Sequence, residues 1–270
     1  MAAVSSESKQ HYFEKIKNVK AWIKEADEKS KKLKEVIEKS DEGGSYKKLS
    51  LIEGNLRVVS YYLLMNLLSV SFLGAKNEGF LNDARKLCYQ IIIYLEQIVS
   101  SYIDVPFSDY EEYLAEISEY TDIKRYNLIR KIGYAIQSVE DGFGQNTKWK
   151  WSFVELEGRY AAVAKNILDL KRVVAGLDPQ KEGYEARMQH INLVKKLLQQ
   201  SADRYRQKYE LSTMRYDDFR LAINYLAALR RIHIALNESS ESEQIKRKMN
   251  VWKEKMESDE KQQKKNSIKK

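Results

Sequence analysis

Apolar or small residues recur in alternating steps of three and four along the N-terminal segment, which places them on one face of a helix. They are Ile16, Val19, Ile23, Ala26, Ser30, Leu33 and Ile37. Lys and Glu occupy most of the positions between them. The spacing therefore predicts a long amphipathic helix whose apolar seam must lie against another element. Gly43 and Gly44 predict that this helix ends before or at residue 44.

The rest of the chain has the same helical character. Proline interrupts helices, and the chain has only two prolines in 270 residues. No segment shows the sustained alternation of apolar and polar residues, rich in β-branched side chains, that is typical of a strand. Capping signals and glycines divide the chain into about eight helices. Their approximate ranges are 8–40, 48–74, 79–104, 108–141, 152–176, 179–211, 215–237 and 241–260.

These segments predict an all-α fold, either an elongated multi-helix bundle or a solenoid-like stack of antiparallel helical hairpins. We expect residues 1–44 to form the N-terminal amphipathic helix and residues 45–237 to form a helical core domain. Residues 238–270 are expected to form a C-terminal amphipathic helix and a disordered Lys-rich tail, because the chain is almost wholly polar from Glu257 onward.

One apolar stretch has nearly the length of a short transmembrane helix, since residues 58–75 contain no charged side chain. Asn66 interrupts this stretch, and the next apolar stretch, residues 87–103, contains Glu96 near its middle. The pair therefore favours a buried helical hairpin over a membrane hairpin. The N-terminus lacks the pattern of a secretory signal peptide, and a single cysteine, Cys88, fits a reducing compartment. We expect a cytoplasmic protein, either free or peripheral to a membrane or larger assembly.

The sequence carries no pattern for a common catalytic, metal or cofactor site. The three histidines, His11, His190 and His233, lie outside any zinc or di-iron ligand motif. The turn at residues 141–144 lacks the P-loop sequence and follows no predicted strand. We therefore expect no cofactor and no metal, and the sequence identifies no small-molecule substrate. A catalytic site formed only when separate helices meet remains an open alternative.

The strongest basic and aromatic cluster has arginines interleaved with tyrosines. Its candidate partner-binding residues are Arg204, Arg206, Tyr209, Arg215, Tyr216 and Arg220. Arginine and tyrosine together can contact phosphates and stack on bases. However, Tyr209 also continues an apolar stripe, and nearby acidic residues offset the charge, which favours core tyrosines and a salt-bridged surface. Trp149 and Trp151 form a second candidate group, which either packs over the end of the bundle or anchors a partner.

Two short segments resemble the 14-3-3 family, whose all-helical members bind phosphopeptides. Residues 66–70 (NLLSV) and 109–117 (DYEEYLAEI) are similar to two signatures of that family. Glu112 occupies the position of the family's phosphate-binding arginine, and a carboxylate there would repel a phosphate. The resemblance therefore does not imply phosphopeptide binding.

The long amphipathic helices, the missing catalytic motifs and the 18 tyrosines together favour a non-enzymatic scaffold or adaptor that acts through protein–protein contacts. Its apolar seams could also pair in a homo-oligomer. One alternative is a protein that binds nucleic acid or anionic lipid through the basic cluster and the Lys-rich tail. The net charge of +8 is spread along the chain and gives this alternative little support. The other alternative is a helical-bundle enzyme.

Overall fold

The computed structural model describes residues 5–40, 42–144, 147–176 and 178–268. These residues contain ten α-helices, eight of them long, and no strand, so the predicted all-α multi-helix bundle is confirmed. The helices are α1 (Ser6–Lys39), α2 (Gly44–Leu73), α3 (Glu78–Val99), α4 (Glu111–Ala115), α5 (Asp122–Phe143), α6 (Lys150–Asn166), α7 (Leu170–Ala175), α8 (Tyr184–Lys208), α9 (Tyr216–Ala235) and α10 (Ser239–Ile268). A 3₁₀ turn, Phe107–Asp109, precedes α4, and a π-helix, Tyr209–Thr213, follows α8.

The helix predicted at 108–141 is interrupted, because α4 and α5 are separated by residues 116–121. Buried Arg125 stabilises this non-helical segment. Its Nε donates a hydrogen bond to the carbonyl oxygen of Tyr120 at 2.7 Å, and its Nη2 donates to that of Ile117 at 3.1 Å. The interruption contains no glycine or proline.

The helix predicted at 152–176 is also two helices, α6 and α7. Asp169 starts α7, since its side chain accepts a hydrogen bond from the backbone N–H of Arg172 at 3.0 Å. This N-cap satisfies a donor of the new first turn and favours a fresh start over continuation of α6.

The C-terminal segment also differs from the prediction, because α10 continues to Ile268 where a disordered tail was expected. Tyr209 Oη donates a hydrogen bond to Asp259 at 3.0 Å, and Lys255 forms an ion pair with the same carboxylate at 3.3 Å. One long-range contact and one pair within the helix therefore stabilise the helical form of this polar segment.

The chain forms two compact units. Unit 1 contains Met1–Ser100 and Tyr113–Leu156, and unit 2 contains Ser101–Glu112 and Glu157–Lys270. The domain division predicted after residues 44 and 237 has different boundaries and stays a prediction.

In unit 1, the first half of α1 packs on α2. The buried residues at this contact are Tyr12, Ile16, Val19, Ile23, Val58 and Met65. The helix α2 packs in turn against α3, and the left-handed backbone of Gly74 (φ 68°) ends α2 before the connecting turn. Asn66 Oδ1 accepts a hydrogen bond from the backbone N–H of Asn77 at 2.8 Å, and Ser69 Oγ donates to the carbonyl oxygen of Ala75 at 2.8 Å. Two of the polar residues that interrupt the apolar stretch 58–75 thus stabilise the turn.

Among the described helices, α2 alone has the length and hydropathy of a membrane span. A third (33%) of its most apolar eighteen-residue window is buried inside the protein. Core helices of soluble proteins pass the same test, so this helix is weak evidence for a membrane.

In unit 2, α8 packs against α9 and α9 packs against α10. Aromatic rings join these helices: Tyr205 stacks on Tyr225 with ring centroids 5.6 Å apart, and Phe219 contacts Trp252 at 6.1 Å. All four side chains are buried.

Candidate partner-binding groove in unit 1

A groove with a volume of about 840 Å³ lies along the second half of α1. The residues that line it belong to α1, to α2 and to residues 119–131. Three of them, Ala26, Ser30 and Leu33, are members of the α1 seam. The seam is buried against α2 as far as Ile23, and its next three members are half-buried and line the groove. The fold therefore buries the first half of the predicted seam and covers the second half only in part.

Aromatic rings form a large part of the groove wall. Trp22 is 47% exposed, and its ring lies 5.6 Å from that of Tyr61. Tyr46 Oη accepts a hydrogen bond from the backbone N–H of Glu119 at 3.2 Å, which fixes the ring at the groove edge. Partly exposed aromatic side chains with polar tips are enriched at protein interfaces, because one ring offers both apolar area and a hydrogen bond.

Four charged side chains of the groove form ion pairs. Lys29 pairs with Glu25 at 2.6 Å, and Lys131 donates to both carboxylate oxygens of Glu53 at 3.0 Å. Burial raises the pKa of nearby Tyr120 to about 12, with a smaller contribution from the charge of Glu53. Tyr120 therefore stays a neutral hydroxyl at physiological pH.

Two cations of the groove lack such partners. Arg57 on α2 and Lys124 on α5 form no ion pair with any described residue, and both are exposed. The carboxylate of Glu119 is also without an ion pair within the described ranges. The unpaired charges of the groove therefore sum to one positive charge, which a ligand with acidic groups would complement.

The basic and aromatic cluster predicted from the sequence lies in unit 2, at the junction of α8, the π-helix and α9. Arg204 forms an ion pair with Glu157. Arg206 forms one with Glu210 at 2.9 Å, and its guanidinium carbon lies 5.1 Å from the ring centroid of Trp252. Both arginines thus contribute to contacts within unit 2.

The remaining members of this cluster differ in exposure. Tyr209 is 1% exposed and stacks on Phe219 at 4.8 Å, so it is a core residue, as the apolar stripe indicated. Tyr216 is half-buried, with its ring 6.0 Å from that of Tyr209. Arg215 and Arg220 are exposed, and each approaches a neighbouring aspartate, at 4.0 Å and 3.4 Å.

Trp149 and Trp151 lie in unit 1, and both are half-buried. The guanidinium carbon of Arg85 lies 4.0 Å from the ring centroid of Trp149, and Arg85 also donates a hydrogen bond to Ser152 Oγ at 2.8 Å. Lys150 Nζ lies 4.9 Å from the ring of Trp151. Neither tryptophan lines the groove along α1.

The comparison with known families matches residues 8–260 to the TP0443 family. This chain belongs to the TP0443 family. The match includes every residue that lines the groove. No curated protein and no solved structure matches the chain.

The groove of this TP0443-family chain leaves no local pattern in the sequence. Its unpaired cations come from two different helices, so no local spacing connects Arg57 with Lys124. Gly54 of α2 faces α1 beside the groove, but the space there does not require a glycine. A Cβ atom at this position would lie 3.8 Å from Ser30 Oγ of α1.

Two of the three histidines have structural partners, and the cysteine is buried. His190 Nε2 lies 2.9 Å from the carbonyl oxygen of Ala164, and His233 Nδ1 is paired with Glu238. Burial raises the pKa of Cys88 to about 12, so its thiol is a poor nucleophile. Within the described ranges, no group of three or more His, Cys, Asp and Glu side chains could hold a metal ion.

Proposed function

We propose that this chain is a non-enzymatic adaptor that binds an amphipathic helix of a partner protein in the groove along α1. One observation carries the proposal: Ala26, Ser30 and Leu33, which continue the buried seam of α1, line an open groove of about 840 Å³. Helix-in-groove recognition uses apolar residues at this spacing, which a second helix can cover. Trp22 and Tyr61 add aromatic surface of the kind that dominates binding energy at interfaces.

The charges of the groove define the partner further. Arg57 and Lys124 outnumber the unpaired carboxylate of Glu119. A helix with acidic residues beside its apolar positions would pair with these cations, and such pairs determine orientation and association rate more than affinity. We therefore propose an acidic amphipathic helix as the occupant and a cytoplasmic location for the complex.

Binding of nucleic acid or anionic lipid has less support. Arg204 and Arg206 have partners within unit 2, and Tyr209 is buried, so within the predicted cluster Arg215 and Arg220 alone offer exposed guanidinium groups. Two arginines beside an aspartate are a weak site for a polyanion.

Photo-crosslinking in the native organism tests the proposal. The crosslinking amino acid p-benzoylphenylalanine replaces Ser50, which lines the groove, or Val36, which is exposed on α1 outside it. We expect a crosslink from position 50 to one partner protein, mapped by mass spectrometry to an acidic amphipathic segment, and none from position 36. Crosslinks to a second copy of this chain would instead show that the groove is a homo-oligomer interface.

Matched substitutions provide the controls. Leu33→Glu places a carboxylate on the seam and should abolish the crosslink from position 50, whereas Val36→Glu makes the same class of change outside the groove and should preserve it. Arg57→Glu should weaken capture, and Lys31→Glu, the same charge reversal outside the groove, should not. Equal capture by all four variants, or no capture by the unsubstituted groove, would show that the groove does not bind a partner.

A further inference from the structure

A second cavity, in unit 2, has a volume of about 290 Å³. Its lining comes from residues 103–110, α6, α7 and α9. The apolar lining residues are Ile103, Val105, Pro106, Phe107, Leu170, Ala228, Ile232, Ile234 and Ala235. Tyr110, Lys165 and Arg231 are the polar members. Within the described ranges, the cavity therefore combines apolar walls with two cationic side chains and no carboxylate.

Lys165 is the unusual member of this lining. It is 5% exposed, and it forms no hydrogen bond or ion pair with any described residue. Its Nζ lies 4.2 Å from the ring centroid of Tyr110, which provides a weak cation–π contact. Burial lowers the pKa of Lys165 to about 7, while the charge of Asp104 raises it and that of Arg231 lowers it. A buried ammonium without a direct counter-ion is costly, and a bound anion that pairs with it would offset that cost.

The net charge around the cavity favours the binding of one anion. Arg231 Nε donates a hydrogen bond to Asp104, the carboxylate that also acts on Lys165. With Lys165 protonated, these three groups sum to one positive charge. Tyr110 also lines the cavity. The ion pair of Lys171 with Glu111 lies beside Phe107, and His190 Nε2 lies 2.9 Å from the carbonyl oxygen of Ala164, which precedes Lys165. Burial raises the pKa of Tyr110, so its hydroxyl is neutral and adds no charge.

We propose that this cavity binds a small apolar monocarboxylate, whose carboxylate pairs with Lys165 and whose hydrocarbon part contacts the apolar walls. A water molecule takes about 30 Å³ in the liquid, so the volume of about 290 Å³ holds roughly ten groups of that size. An acid of about six to nine non-hydrogen atoms fills such a space. A divalent anion such as phosphate is a poor ligand, because apolar walls would desolvate a second charge that has no partner.

The proposal is tested with hexanoate as the probe and hexanamide as its neutral counterpart. The Cε resonances of ¹³C-labelled lysines report the ionisation of Lys165 in the full-length protein. We expect hexanoate to raise the titration midpoint of Lys165 by about one pH unit or more, because the carboxylate stabilises the charged amine. Hexanamide and inorganic phosphate should leave the midpoint unchanged. The proposal is overturned if hexanoate does not move the midpoint, or if hexanamide moves it equally.

Calorimetric titration of hexanoate against two cavity variants and one control variant locates the site. Lys165→Met removes the cation and should weaken binding about tenfold or more, because the ligand carboxylate loses its partner. Lys171→Met removes a lysine outside the cavity lining and should bind like the wild type. Ala235→Phe narrows the cavity and should also weaken binding. Unchanged affinity in Lys165→Met would place the binding elsewhere. If that variant failed to fold, the wild-type titration and Ala235→Phe would still decide.

Discussion

At the residue scale, Lys165 connects burial to pH-dependent stability. In the unfolded chain the amine has the ordinary pKa of about 10.4, whereas burial lowers it to about 7 in the folded protein. Between these two values the unfolded state binds more protons, so the free energy of unfolding rises with pH across this window. Below about pH 7 both states are protonated, and the folded state bears the full cost of the buried charge.

The substitution Lys165→Met removes that cost. We expect the variant to be more stable than the wild type by on the order of 3 kcal/mol at about pH 6, and the difference to shrink towards about pH 10. Urea denaturation across this range measures it. Lys171→Met, at a side chain that is 71% exposed, should show little dependence on pH. A stability difference that grows with rising pH would contradict the argument.

Alanine substitutions at two glycines within helices should change the stability of the protein in opposite directions. At Gly158 of α6, a Cβ atom would lie 2.6 Å from the ring of Tyr205 and 2.7 Å from Tyr225 Oη, so Gly158→Ala should cost about 1–3 kcal/mol through overpacking. At Gly54 of α2 the nearest atom, Ser30 Oγ, is 3.8 Å away, so Gly54→Ala should stabilise by about 0.5–1 kcal/mol through helix propensity. Urea denaturation of both variants checks the two signs, and a shared sign would disprove the steric account.

At the element scale, the two halves of the α1 seam should differ in their contribution to stability. Ile16 is 4% exposed and packs on α2, so Ile16→Ala should cost about 2–5 kcal/mol. Ile37 is half-buried near the end of the helix, and Ile37→Ala should cost less than about 1 kcal/mol. Chemical denaturation of the two variants compares the same Ile-to-Ala substitution at the two positions. Equal losses would mean that the second half of the seam is also covered.

The stability of the C-terminal end of α10 should depend on the hydroxyl group of one tyrosine. Tyr209 Oη bonds Asp259, so Tyr209→Phe should cost about 0.5–1.5 kcal/mol and lower the hydrogen-exchange protection of residues 255–262. The matched control is Tyr216→Phe, because Tyr216 Oη is buried and forms no hydrogen bond with any described residue. Its removal should leave that protection unchanged. Equal effects of the two substitutions would show that the Asp259 bond does not stabilise the helix end.

The helices show what periodicity can and cannot predict. The spacing from Ile16 onward predicts α1 because it depends only on neighbours along the chain. The breaks at 116–121 and before Asp169 were missed, because the first depends on hydrogen bonds from buried Arg125 and the second on a cap without glycine or proline. Long-range contacts and N-caps of this kind leave no periodic signal.

At the scale of the whole molecule, the sites were less predictable than the helices. The groove along α1 needs residues from three helices, and only its seam was visible in the sequence. Lys165 did leave a local signal, since it is the one charged residue between Tyr160 and Leu168. A lone lysine in an apolar run predicts a buried amine, although its cavity becomes apparent only when residues 103–110 and α9 are placed around it.

The two units are also invisible in the sequence, because the chain passes between them after Ser100, Glu112 and Leu156. No flexible linker rich in proline or glycine marks these points, and the last lies inside the continuous helix α6. Each unit nevertheless has its own buried core, including Leu95 in unit 1 and Leu198 in unit 2. Separate cores allow separate unfolding transitions.

Leucine-to-alanine substitutions in the two cores test this separation. Leu95 and Leu198 are both 0% exposed, so each substitution should cost about 2–5 kcal/mol. If each core melts as its own cooperative unit, Leu95→Ala lowers the midpoint of one calorimetric transition and Leu198→Ala lowers that of the other, each by several degrees. A single transition that both variants lower equally would show one cooperative molecule instead. In that case the three chain crossings would link the units too tightly for either core to melt alone.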